Sequence, residues 1–301
     1  MDDLFDAVIV GGGPAGLSAA LALGRARRSV LLCDSGPARN AAATHMHNFL
    51  SRDGTPPAEL RRLGREQLAP YKSVSVRDTR VEAITGERGA FTVSTDSGAV
   101  SARRLVLGTG MIDEMLPIAG FADFWGTSIF QCPYCHGWEV QDRPFGVLAG
   151  DPHMLDFAIL LRCWTDDVVV FTNASLPVSP EAAARLASAK IRVEERRITR
   201  LTGKAGQLEA VELEGATIGR EVLFARPTQR QVPLVAALGV DLEPPGFVRI
   251  DPMTAETSRP GIYAGGDLTT MRQGAIMAAG AGAVAAAMLN HALTVEQLTG
   301  R

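Results

Sequence analysis

The chain has 301 residues, long for one hydrophobic core and comfortable for two; 46% are hydrophobic, 21% are charged, and the net charge is −3. That balance describes a soluble globular protein and gives no electrostatic reason to expect nucleic acid or an anionic membrane as a partner. Residues 1–6 lead straight into an apolar strand with neither a basic segment nor a small-residue cleavage site, so no secretory signal is expected and the expected location is cytoplasmic.

Apolar β-rich runs at 7–10, 29–33, 105–107, 145–148 and 168–171 alternate with helical stretches, which indicates an α/β fold with parallel sheets. The two chain ends carry complementary halves of one nucleotide site, and strand, helix and strand begin afresh at Phe145. Two Rossmann-like three-layer domains are therefore expected, the second inserted into the first: residues 1–114 plus 225–301, and residues 115–224. The expected crossings lie at Met115, Leu116 and Pro117 and at 224–227, where strand-like sequence gives way to Pro-containing loop.

The first strand runs into Gly11, Gly13, Pro14, Ala15 and Gly16, a GxGxxG turn that opens a helical run over 17–26. Such glycines allow a tight turn, let backbone approach a pyrophosphate and let helix pack on strand, while the helix N-terminus favours negative charge. Asp34 ends the next strand, 18 residues beyond Gly16, where a carboxylate can accept ribose hydroxyls. This half alone does not separate FAD from NAD. Near the other end, 261–267 read Gly-Ile-Tyr-Ala-Gly-Gly-Asp, with Gly266 and Asp267 closing a second glycine turn before Arg272, Gln273, Gly274 and a small-residue helix. Two such turns suit a long cofactor held at two points, and FAD is one. The apolar run 274–289 is shorter than the ~18 to 20 residues of a membrane span, and its Ala and Gly suit a packed core helix.

Between these halves lies Cys132-Pro-Tyr-Cys135, followed by His136. Thiols at this spacing close a short-loop disulfide, and such motifs commonly lower one cysteine's pKa so that a thiolate attacks. A structural zinc site needs four ligands, and even with His136 only three are at hand. Cys33 and Cys163 stand alone in apolar strand and helix sequence, where a buried core cysteine is expected.

With GGGPAGLSAAL, the Gly108-Thr109-Gly110 turn, CPYCHG, GIYAGGD and RQGAIMAAG in this order, the chain resembles the low-molecular-weight thioredoxin reductase family over nearly its whole length. The resemblance implies an FAD domain made from both chain ends, an inserted domain carrying the cysteine pair, and a homodimer. It also implies that Asp267 meets the ribityl and pyrophosphate portion, that Arg272, Gln273 and Gly274 lie near the isoalloxazine, and that Asn48 lies beside the flavin. Cys135 would face the flavin and Cys132 the substrate.

Two departures from the family shape the expected chemistry. Where the family has an Asp that moves protons, this chain has His136, similar to the dithiol oxidases that close disulfides in natural products such as gliotoxin and holomycin; an unperturbed imidazole near ~6.5 would donate or accept with little shift. The second departure lies in the inserted domain, where family members bind NADPH. Residues 147–154 keep a single glycine, Gly150; Asp151 puts negative charge where a pyrophosphate belongs, and Pro152 removes a backbone donor. Thr172 and Asn173, ending the next strand, supply neither an arginine for a phosphate nor a carboxylate for a ribose.

The expected activity is thus FAD-dependent thiol/disulfide exchange with a small dithiol or a thioredoxin-like disulfide partner, in the dithiol oxidase direction, with NADPH binding in doubt. Two alternatives stand beside it. One is a thioredoxin reductase fed by NADPH, by a ferredoxin or by a second flavin; the other is a non-catalytic flavin redox sensor.

Overall fold

The computed structural model describes residues 4–300. The chain divides into two compact units, residues 1–41, 49–112 and 229–301 in the first, and 42–48 and 113–228 in the second. The crossings fall at 112–113 and 228–229, and the segment 42–48, which includes the expected flavin neighbour Asn48, groups with the second unit.

The first unit opens with β1 (Leu4–Val10), α1 (Pro14–Arg25), β2 (Val30–Asp34), α2 (Pro57–Leu68) and β3 (Val74–Asp78). β4 (Val81–Glu87), β5 (Ala90–Thr95) and β6 (Gly98–Leu107) follow. β1, β2 and β3 pair in parallel, and β1 also pairs in parallel with the far end of β6, whose near end pairs antiparallel with β5, itself antiparallel to β4. The parallel core strands are buried on both faces, which is why they read as unbroken apolar runs. Along β1, Ala7 and Ile9 face one cluster while Val8 and Val10 face another.

After β7 (Ile112–Glu114) the second unit builds α3 (Phe121–Phe124), β8 (Ile129–Phe130), α4 (Pro133–His136), β9 (Phe145–Leu148), α5 (His153–Leu160) and β10 (Val168–Phe171). Then come α6 (Pro180–Ser188), β11 (Arg192–Glu194), β12 (Ile198–Lys204), β13 (Gln207–Leu213), β14 (Ala216–Gly219) and β15 (Val222–Phe224). Its main sheet is parallel, in the order β11-β10-β9-β15-β8, and β12-β13-β14 form a separate antiparallel sheet. Phe145 and Val147 pack with residues of α5 and α6 on one face; Leu148 and Val169 pack with Leu201 and Val211 of the antiparallel sheet on the other.

The first unit resumes with β16 (Thr228–Arg230), α7 (Pro233–Ala237), β17 (Ile262–Ala264) and α8 (Ala275–Thr299). β17 adds in parallel to β6, Ile262 opposite Leu105, and completes the sheet. A methyl group on Gly282 of α8 would collide with the carbonyl of Ala15, so the first and last long helices touch backbone to backbone where only glycine fits.

Parallel sheets were expected, but antiparallel strands extend the first of them, because glycine turns at Gly86, Gly89 and Gly98, all with positive φ, fold the alternating sequence of β4–β6 into a meander. α8 is also longer than its apolar core implied. It spans 25 residues, enough by length and composition to cross a membrane, and about 33% of its most apolar window is buried within the chain. The length argument against a span therefore fails; Ala285, Ala286, Leu289 and Leu293, clustered with Ala7 and Ile9 of β1 and Val106 of β6, are what tie the helix to the sheet.

Candidate functional site

The β1–α1 turn has the shape of a phosphate cradle. Gly11 holds φ +109 with the Gly108 carbonyl where a side chain would go, and a methyl group on Gly16 would strike the Gly11 carbonyl. Gly13, the residue capping α1, instead opens onto space: a Cβ there meets nothing of the chain within 4 Å. α1 has Pro14 in its first turn and no side-chain cap, so its N–H groups are left for a ligand. Ala15 packs under Gly266, which needs φ +99, and Thr109 sits between Gly108 and Gly110 on the far side of the same turn. Two tight glycines around an open one, at an uncapped helix start, fit the pyrophosphate of FAD.

Asp34 ends β2 as expected and is 5% exposed. Its Oδ2 accepts hydrogen bonds from Arg61 at 2.5 Å and Arg65 at 2.6 Å, both on α2, and its Oδ1 accepts from the Gly36 N–H at 3.0 Å. Burial alone would raise its pKa; the Gly36 N–H and the two guanidiniums outweigh that and hold it below the usual carboxylate value. At the other turn, Arg39 donates to Asp267 at 2.9 Å and to Gln273 at 2.7 Å, and Gln273 exchanges hydrogen bonds with Gln229 at 2.7 and 3.1 Å. Gly274 caps α8 without a side-chain bond, and Arg272 beside it is exposed. Arg39, Arg61, Arg65 and Gln229 escaped sequence reasoning, since no spacing rule ties α2 to the end of β2. Gln229 lies on β16, just before the start of α7 at Pro233.

In the second unit β8 delivers the chain to Cys132, the capping residue of the short helix α4, which carries Cys135 and His136. The Cys132 thiol is drawn down to about 6, first by a hydrogen bond from the Cys135 thiol; burial opposes this, and the backbone N–H groups of Cys135 and Tyr134 and the charge of Arg226 add to it. The pair is therefore built to hold a thiolate on Cys132 in its reduced form.

His136 stacks flat on Phe130, ring centroids 4.4 Å apart and 11° between planes. Burial first and His47 second push its protonation down to about 4, which corrects the expectation of an imidazole titrating near neutrality. At neutral pH it is an uncharged base. His47 lies edge-on, 6.4 Å from His136, with its Nδ1 3.3 Å from Oε1 of Glu139. Asn48, next to His47, adopts φ 60. Cys33 is buried, its thiol raised to about 11 by burial, whereas Cys163, expected in the core, is exposed at the end of a single 3-10 turn.

The turn after β9 is filled from within. Asp151 Oδ1 accepts hydrogen bonds from the N–H groups of His153 at 2.8 Å and Met154 at 3.3 Å, the donors that a pyrophosphate at the start of α5 would use. After β10, Asn173 takes φ 51 and its Oδ1 accepts the Ile198 N–H at 2.7 Å, tying the end of that strand to β12.

A family model described as pyridine nucleotide-disulphide oxidoreductase matches residues 5–286. The chain is 33% identical to thioredoxin reductase tcpT of Claviceps purpurea over 98% of its own length and 96% of the relative's. Among solved structures it is similar to HlmI, with TM-score 0.91, 38% identity, and 98% of this chain and 94% of that one covered. An oxidoreductase from Agrobacterium tumefaciens gives TM-score 0.91 and 37% identity over 97% of this chain and 99% of that one.

Proposed function

The chain belongs to the pyridine nucleotide-disulphide oxidoreductase family as a thioredoxin reductase-like FAD enzyme, and we propose that within it this protein is a dithiol oxidase that does not take hydride from a nicotinamide at its second unit. The observation that carries the reading is Asp151: a carboxylate bonded to the first N–H groups of α5 satisfies those donors and sets a negative charge where a pyrophosphate would have to lie. Asn173 supports it at the ribose end, where its amide oxygen is spent on the backbone of β12.

Substrate and enzyme exchange through a mixed disulfide. A substrate thiolate attacks the Cys132–Cys135 bond, the second substrate sulfur resolves the mixed disulfide, and the cysteines are left as thiolate and thiol. FAD, which Gly11, Gly13, Gly16, Asp34 and Asp267 would hold, would supply the two-electron acceptor that returns the pair to the disulfide, with oxygen or another acceptor taking those electrons in turn. His136, uncharged at neutral pH, accepts the thiol proton, and Phe130 fixes the plane of its ring.

The names of the relatives favour a second reading, thioredoxin reduction with NADPH or another donor. Anaerobic titration of the holoprotein separates the two. Under the oxidase reading a small dithiol bleaches the flavin absorbance while NADPH and NADH leave it oxidised. Rapid stoichiometric bleaching by NADPH would overturn the reading and make the chain a reductase with an unusual nucleotide loop.

A further inference from the structure

β8 and β15 are neighbouring parallel strands with Leu223 opposite Ile129 and Phe224 opposite Phe130, and the ladder continues with the Ala225 N–H donating to the Phe130 carbonyl at 2.9 Å. Carrying that register two residues onward sets Arg226 level with Cys132, one strand spacing of roughly 4.8 Å away at the backbone. The Arg226 side chain is anchored as well, its guanidinium carbon lying 4.8 Å from the centre of the Phe157 ring. Cys132 is extended, at φ −136 and ψ 119, before the chain enters α4, so the redox pair begins at the end of one strand and Arg226 follows the end of its neighbour.

From this juxtaposition we propose that Arg226 is a positioning residue of the redox pair, the cation that stabilises the Cys132 thiolate and thereby sets how readily the Cys132–Cys135 disulfide accepts electrons. Substrate dithiol plus enzyme disulfide gives substrate disulfide, Cys132 thiolate, Cys135 thiol and one released proton. Two electrons move from the substrate sulfurs to the pair, the enzyme S–S bond breaks and the substrate S–S bond forms. Among the products on the enzyme the thiolate is the charged one, so a cation beside it favours reduction of the pair. The Cys132 thiol is lowered first by the Cys135 thiol, against burial, then by the N–H groups of Cys135 and Tyr134, and Arg226 adds the smallest contribution in the same direction. The inference rests on the reading of Cys132 and Cys135 as the redox pair.

Arg226 is exposed, so replacing it removes no buried side chain. The test uses holoprotein reduced anaerobically, with iodoacetamide alkylation of the Cys132 peptide followed by mass spectrometry from pH 4.5 to 9, and Cys163 in the same sample as the internal control. Arg226→Gln should raise the apparent Cys132 pKa by about one unit, Arg226→Glu by more, and Arg226→Lys should stay near the parent. In glutathione redox buffers the Arg226→Gln disulfide should be about tenfold harder to reduce, a drop of about 30 mV.

Coincident profiles and potentials in parent and Arg226→Gln would overturn the proposal. So would an equal shift in Arg226→Lys and Arg226→Gln, which would assign the effect to packing on Phe157 and not to charge. A parent protein whose Cys132 and Cys135 form no disulfide in any redox buffer would instead overturn the underlying reading of the pair, an outcome distinct from either.

Discussion

A free imidazole gains its proton near ~6.5, but the His136 ring, flat against Phe130 and beside His47, resists protonation until about pH 4. From ~6.5 down to about 4 the unfolded chain therefore binds a proton that the folded chain refuses, and stability falls as pH falls through that window. His136→Gln should flatten the slope, leaving the variant about 1–3 kcal/mol less sensitive than the parent to a move from pH 7 to 4.5. Urea midpoints at the two pH values check this; equal losses in both proteins would mean that the imidazole titrates freely. Gly11 and Gly13 divide the cofactor turn into a folding residue and a binding residue. Gly11→Ala forces a side chain onto the Gly108 carbonyl at φ +109 and should cost about 2–4 kcal/mol of stability. Gly13→Ala, with ordinary φ of −78 and open space, should leave the unfolding midpoint of the apoprotein unchanged while weakening FAD at least about tenfold, as read by flavin fluorescence titration.

Among the elements, α1 and α5 start in the same way, each following a parallel strand with a proline nearby, yet they spend their free N–H groups differently. α1 has no side-chain cap, whereas α5 is bonded by Asp151. A cap of this kind stabilises by about 1 kcal/mol, so Asp151→Ala should lower the unfolding free energy of the protein by about that amount in a urea titration, and an unchanged midpoint would show that the bond carries no weight. The contrast was partly legible in sequence. Three glycines in a fixed pattern announce the first turn because the requirement is local, and Asp151 and Pro152 mark the second turn as different from it for the same reason. The guanidiniums on Asp34 and Asp267 were not legible: Arg61 and Arg65 reach Asp34 from a different element, and Arg39 meets Asp267 across 228 positions of chain. The antiparallel strands β12–β14 went unread because their alternation is carried by short, charged hairpins.

For the whole molecule, the two units reach completion in different ways. The sheet of the first takes β1, β2 and β6 from the beginning of the chain and β17 from near its end, with Ile262 against Leu105. The second draws all but residues 42–48 from the single stretch 113–228. Proteins leave the ribosome N-terminus first, and domains form as their residues arrive. During synthesis the second unit thus has its full complement of residues while β17 and α8 are still to come. The newborn chain passes through an interval in which its paired thiols exist but their seat for the flavin does not, and in that interval any electrons the cysteines collect have nowhere to go.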